Sequence, residues 1–109
     1  RLSELEPVKE GDYREFSGVQ PFVKDAALSL VIVTDFTAKI PIEGFVLNDD
    51  DRRKCGYFDS AHICQNAYLY CASEGLKCIE RGTCQKEKLI EILGLDNKKE
   101  IMTTLSIGY

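Results

Sequence analysis

The chain has 109 residues, 44% hydrophobic, 29% charged and 9% aromatic, with no Trp and a net charge of −4. That composition fits one globular domain with a modest core and excludes fibrous and disordered classes. Binding a phosphate backbone needs a local excess of positive charge. Here Asp49, Asp50 and Asp51 offset the densest basic group, Arg52-Arg53-Lys54, and Asp96 and Glu100 flank Lys98 and Lys99, so no nucleic-acid partner is expected. No apolar run approaches the ~20 residues of a membrane span, and no charged-apolar-small leader opens the sequence. Neither a membrane nor a secretory route is expected. The first residue is Arg1, not Met, which is compatible with removal of upstream residues by processing or cloning.

In chain order, residues 2–16 read as a short edge strand carrying Leu2, Leu5 and Val8, then a turn at Gly11-Asp12. Gln20-Pro21-Phe22-Val23 reads as a compact loop or single helical turn. Residues 28–36 (Leu-Ser-Leu-Val-Ile-Val-Thr-Asp-Phe) are apolar on both faces from Leu30 to Val33. That is the pattern of a central strand covered by helices on both sides. Residues 37–58, punctuated by Pro41 and Gly44, read as a solvated connector. Within it Asn48 is placed to cap a helix with acid in the first turn and base in the next, which matches the helix dipole.

Residues 59–74 form the best helix, started by Asp59 or Ser60 and stopped by Gly75. At 100° steps Ile63, Ala67, Cys71, Cys64, Tyr68, Ala61 and Ala72 cover about half the circumference. His62, Gln65, Asn66 and Ser73 form a narrower polar seam, with Leu69 among them. So little charge predicts a mostly buried helix whose seam faces another subunit or a polar pocket. Residues 76–83 read as a link through Arg81-Gly82. A short amphipathic helix follows from Gln85 or Lys86 to Leu93, with Leu89, Ile90, Ile92 and Leu93 inward and Gly94 at its end. Ile101, Thr103, Leu105 and Ile107 then alternate with Met102, Thr104 and Ser106 as a second strand. Two strands rarely hold a sheet alone, so the apolar strand and helix call for partners.

Five cysteines, Cys55, Cys64, Cys71, Cys78 and Cys84, make an odd number with no Cys-x-x-Cys pair. Neither a complete disulfide framework nor a zinc knuckle is indicated. Seven residues apart on one helix, Cys64 and Cys71 sit ~10 Å apart, beyond the ~7 Å reach of a disulfide. Buried, reduced thiols in a reducing, cytoplasmic compartment are the expectation. A meeting of Cys78 with Cys84 across a turn stays open, as does a weaker reading as a thiol-based redox or metal protein.

The chemistry is sparse: there is no Gly-rich phosphate loop and no Ser-His-Asp or Cys-His arrangement. The single His, His62, reads as a hydrogen-bonded packing residue of a buried helix. Asp35, at the carboxyl end of the apolar strand, is either a turn residue or a ligand contact. Ile79-Glu80-Arg81-Gly82-Thr83 is either an ordinary helix-to-helix loop or a seat for a flat ligand. Gly82 lets backbone approach closely, and Arg81 can stack on a ring or offset negative charge.

Residues 65–76 (Gln-Asn-Ala-Tyr-Leu-Tyr-Cys-Ala-Ser-Glu-Gly-Leu) resemble the central helix of the nitroreductase-like flavoprotein family. The sequel is similar too: Arg81-Gly82, then residues 89–95 (Leu-Ile-Glu-Ile-Leu-Gly-Leu), then Ile107-Gly108-Tyr109. Upstream, Gly11-Asp12-Tyr13-Arg14, Gln20-Pro21-Phe22-Val23 and Leu30-Val31-Ile32-Val33-Thr34-Asp35 resemble the subgroup that includes azoline oxidases of peptide maturation. The likeness covers most of the chain outside residues 38–54.

The resemblance implies an α+β fold with a mixed sheet and a buried central helix, forming an intertwined homodimer. It implies FMN at the dimer interface and hydride transfer from NAD(P)H through flavin N5 to nitroaromatics, quinones or related acceptors. Carried over by position, Ile79, Glu80, Arg81 and Gly82 line the flavin ring, with backbone near Arg81-Gly82 facing N5 and O4. The helix from Asp59 sits at the subunit interface, and neither a protein nucleophile nor a metal is implied.

The family's N-terminal helical half, whose Arg-rich, Ser-containing motif holds the FMN phosphate, has no counterpart in these residues. A basic residue that often follows the final strand is not reached at Tyr109. Gln85 stands where Asp commonly caps the next helix, and Ala27 where Pro is common. The expectation is therefore that residues 1–109 are the C-terminal portion of a single nitroreductase-like domain. The expected partner is a second copy in a homodimer, or an N-terminal half supplied separately. The alternative is a flavin-free dimerisation domain derived from that fold.

Overall fold

The computed structural model describes residues 5–37 and 48–109. Leu2, and residues 38–47 of the expected connector with Pro41 and Gly44, lie outside those residues. Two 3₁₀ turns, Arg14–Ser17 and Pro21–Asp25, precede strand β1 (Leu28–Asp35). Helix α1 (Asp49–Ser73), strand β2 (Lys77–Arg81), helix α2 (Lys86–Leu93) and strand β3 (Lys99–Gly108) follow. The strands form one antiparallel sheet in the order β1-β3-β2. With the long helix across it this is an α+β arrangement.

β3, not β1, is the central strand. Ile101, Met102, Thr103, Thr104, Leu105 and Ser106 are all buried, because neighbours take both edges and packing covers both faces. β1 is an outer strand of the described sheet and only half-buried. Its apolar run reflects cover on its two faces, not a central position. Opposite Met102 the β1 register slips between Ile32 and Val33, a bulge that adds one residue to β3.

The register sorts side chains by face. Leu30, Leu105, Cys78 and Glu80 share one face, and Val31, Thr104, Ile79 and Arg81 share the other. β2 falls where a plain link was expected. Five residues with three charges give no local strand signal; pairing with β3 creates the strand.

α1 begins at Asp49, ten residues before the expected start at Asp59, and Asn48 caps it by accepting the Asp51 amide at 2.8 Å. The acid-then-base run is thus the first turn of α1 and not a separate helix. Arg53 fixes it to the sheet, donating through Nε to both oxygens of Glu100 at 2.9 and 3.0 Å. Gly56 lies inside this helix because α1 crosses β1 there. A Cβ would collide with Thr34 Oγ1 and meet Met102 Sδ at 3.2 Å.

The face α1 turns to the sheet is a stripe of small residues, Gly56, Ser60, Cys64 and Cys71. Ala67 and Tyr68 are half-buried, but Ala61, Ile63 and Ala72 of the expected buried face are exposed. The three-stranded sheet is too narrow to cover half of a 25-residue helix. His62 on the polar seam is likewise exposed, not a buried packing residue.

α2 matches its expected span, closed by Gly94 in the left-handed region at φ 66°. Leu89 is buried and Ile92 and Leu93 half-buried, whereas Ile90 is exposed. Residues 5–13 form no strand; Gly11 turns the chain at φ 128°, as expected for the Gly-Asp pair. No helix among the described residues is long and apolar enough to cross a membrane.

Gly56→Ala tests the crossing. In an open helix this change gains about 0.5–1 kcal/mol. Here overpacking against Thr34 and Met102 should instead cost about 1–3 kcal/mol, read as a lower urea midpoint. An unchanged or raised midpoint would contradict the close approach.

Candidate functional site

β2 is an outer strand of the described sheet, and its outward edge determines what the candidate residues can do. Alternate main-chain groups of an antiparallel strand point to its partner and away from it. The Glu80 amide points away from β3 and donates to the Tyr68 hydroxyl of α1 at 2.6 Å. α1 therefore closes the edge at residue 80. Two residues on, past the end of the strand, stands Gly82. A Cβ there would meet nothing within 4 Å, and its φ is not in the left-handed region. The backbone is open to a flat group at this point without strain.

The four candidate residues do not share one direction. Ile79 and Arg81 project to one face of the sheet and Glu80 to the other. Ile79 and Glu80 are exposed; Arg81 is buried, 8% exposed. Arg81 does not reach out as a solvated side chain. Its guanidinium lies over the Phe22 ring at 4.6 Å, and its carbonyl accepts the buried Thr103 hydroxyl at 2.9 Å. What the sequence brings together at this edge is thus main chain, positioned by side chains directed inward.

Two clefts flank β1 elsewhere. One of about 250 Å³ lies over Val31 and Leu89, and one of about 350 Å³ lies between Thr34 and α1 at Gly56. Neither is lined by residues 79–82. Asp35 is a turn residue: its carboxylate accepts the Thr37 amide and hydroxyl, which hold its pKa below the usual range.

All five cysteines are free thiols. Cys64 faces Glu80, and Cys71 meets Cys78 under the α1–β2 corner. Burial pushes the Cys64 thiol up to about 11, and the Glu80 carboxylate acts in the same direction. Burial also raises Cys78, and Cys71 adds to the shift. Burial raises Cys84 against the opposing charge of Lys86. Thiols held protonated in this way are poor nucleophiles. No three His, Cys, Asp or Glu side chains among the described residues gather into a group able to hold a metal ion.

Sequence reasoning missed three contributors, Phe22, Gly18 and Thr103. Only Phe22 carried a legible signal, in the motif Gln20-Pro21-Phe22-Val23. The contacts of all three span at least 22 residues of sequence and leave no local trace. Gln85 does start α2, but without capping it through its side chain. Its side-chain amide donates instead to the Glu15 carbonyl at 3.2 Å, which accounts for an amide where a capping carboxylate is common.

The sequence model of the Nitroreductase family matches residues 5–109. Among solved structures, a protein from Ralstonia eutropha JMP134, provisionally named a nitroreductase, superposes with a TM-score of 0.61 at 28% identity. The match covers 73% of this chain and 36% of that one, so the chain spans about a third of that protein. No curated protein matches it significantly.

The thiols make stability depend on alkaline pH. A group whose folded pKa is raised contributes stability that is complete below its unfolded pKa and lost as pH rises through the folded value. For Cys64 that window runs from 9.0 to about 11. Urea midpoints should fall across this window, and fall less in Cys64→Ala. Equal slopes in the two proteins would remove Cys64 as a cause.

Proposed function

The chain belongs to the nitroreductase family, and on that premise we propose that it forms the ring-facing, C-terminal portion of an FMN-dependent NAD(P)H oxidoreductase. The observation that carries this reading is the open backbone at Gly82, at the end of an edge strand whose preceding amide is already taken by Tyr68. When bound there, FMN supplies the two-electron chemistry, accepting hydride from NAD(P)H and passing it to a nitroaromatic, quinone or related acceptor. The chain's own part is to bind and orient. Main chain at Gly82 would face the polar edge of the ring, while the Arg81 main chain stays in the ladder with β3 and its carbonyl takes the Thr103 hydroxyl. Ile79 offers an exposed apolar side chain, 47% accessible, against which a ring face can lie. No side chain of the chain need move a proton.

The residues fit the ring better than the tail. Nothing in residues 1–109 offers the Arg-rich phosphate motif, so the ribityl phosphate is held by groups outside these residues. The motifs of residues 11–14, 20–23 and 30–35 extend the reading to the subgroup that includes azoline oxidases of peptide maturation.

A homodimer is part of the proposal. α1 leaves Phe58 and Leu69 each 60% exposed, beside the exposed small residues Ala61 and Ala72. These lie on a face turned away from the buried stripe, and such a face suits helix-on-helix packing. Leu69→Lys should therefore halve the mass measured by sedimentation at micromolar concentration. A wild-type chain that already sediments as a monomer would sink the dimer.

Gly82→Val tests the site itself. The apo fold has room for the side chain, so the thermal midpoint should stay near that of wild type. FMN binding, followed by quenching of flavin fluorescence, should weaken at least about tenfold because the side chain occupies the ring's seat. Unchanged FMN binding would place the ring elsewhere. A folded wild-type dimer that never takes up FMN would replace this reading with the flavin-free dimerisation domain.

A further inference from the structure

The loop that follows Arg81 is gripped at both ends by one segment, residues 15–23. At the far end, the Gln85 amide donates to the Phe16 carbonyl at 3.0 Å and its side chain to the Glu15 carbonyl. At the near end, the Arg81 side chain is enclosed between the Phe22 ring and the backbone at Gly18. A Cβ at Gly18 would come within 3.0 Å of Arg81 Nε and 2.8 Å of Val23 Cγ1. The segment is itself fixed to the central strand, since the buried Thr104 hydroxyl donates to the Ser17 carbonyl.

Arg81 is an unusual choice for this slot. Its Nε is buried and has no hydrogen-bond partner among the described residues, and burying a cation without a carboxylate is costly. A Met or Leu would fill the volume with less loss of hydration. A guanidinium provides something those cannot: a flat, charged plate that lies on an aromatic ring and under a glycine backbone at once.

We infer that residues 15–23 act as a clasp that sets the main chain at Arg81 and Gly82, with Arg81 as the positioning residue and Phe22 and Gly18 as its seat. The inference rests on the proposed flavin reading for its purpose, but not for its geometry. The clasp acts through the backbone: the plate is pinned, the Thr103 hydroxyl holds the Arg81 carbonyl from the other side, and the Gly82 peptide is left in one orientation. Pre-setting that peptide spares a bound planar ring the cost of ordering the loop.

The test measures amide hydrogen exchange in the ligand-free chain, then FMN binding. In Arg81→Met and in Phe22→Leu, exchange of the Gln85 amide, which is bonded to the Phe16 carbonyl, should rise about tenfold, the scale of one lost cation–π contact. Exchange in α1 should stay at its wild-type rate in both. Phe22→Tyr, which keeps the ring face, should restore slow exchange. FMN affinity should fall and recover in the same order, with a changed visible band shape for the flavin bound to Phe22→Leu.

Unchanged exchange of the Gln85 amide in Phe22→Leu would overturn the inference. So would an equal rise throughout α1, or a Phe22→Tyr as loose as Phe22→Leu. The exchange readout needs no cofactor. A wild-type chain that fails to bind FMN would count against the proposed function while the exchange pattern still decides the clasp. A chain that binds FMN with an unaltered exchange pattern would do the reverse.

Discussion

β3 must satisfy two partner strands and two covering layers with one run of ten residues. Its buried stretch mixes Ile101, Met102 and Leu105 with Thr103, Thr104 and Ser106. Buried hydroxyls are costly unless bonded, and two of these three reach out of the strand to main chain elsewhere. Thr103 takes the carbonyl that ends β2, and Thr104 takes the carbonyl that ends the first 3₁₀ turn. The edge at Arg81 and the segment that encloses it are thereby located by adjacent residues of one strand. Apolar residues at both positions would still form the sheet, but the two segments would lose their fixed relation.

The two sides of the sheet are used differently. α1 lays a stripe of small residues across one side and reaches the outer edge of β2 through Tyr68. Beyond that stripe it keeps Phe58, Leu69 and Tyr70 in solvent. On the other side Gly18 and Phe22 enclose Arg81. The open backbone at Gly82 lies where these two covers end. The proposed dimer face lies on the outside of α1, and the proposed ring seat lies at the end of β2.

Much of the fold was legible because local signals and tertiary roles agreed. The apolar run of β1, the amphipathic repeat of α2 with Gly94, and the cap at Asn48 each act within a few residues. Other features were hidden because they are created at long range. β2 is a strand only through β3. Gly56, within the stretch expected to be a connector, is what lets α1 cross Thr34. The burial pattern of α1 could not be read from its periodicity, because the sheet beneath it is narrower than its apolar face. At the candidate site the sequence placed Gly82 where the backbone is open. It did not reveal that Arg81 turns inward, since Gly18, Phe22 and Thr103 have no sequence proximity to it.

The most direct measurement is a titration of the isotopically labelled chain with FMN, followed by amide chemical shifts. A ring seated at the end of β2 predicts the largest changes at Ile79, Glu80, Arg81 and Gly82. Smaller changes should pass along the clasp to Phe22, and residues 86–93 of α2 should barely move. Saturable changes centred instead on the clefts beside β1, or no saturable change when the chain is folded and dimeric, would contradict a flavin seat at this edge.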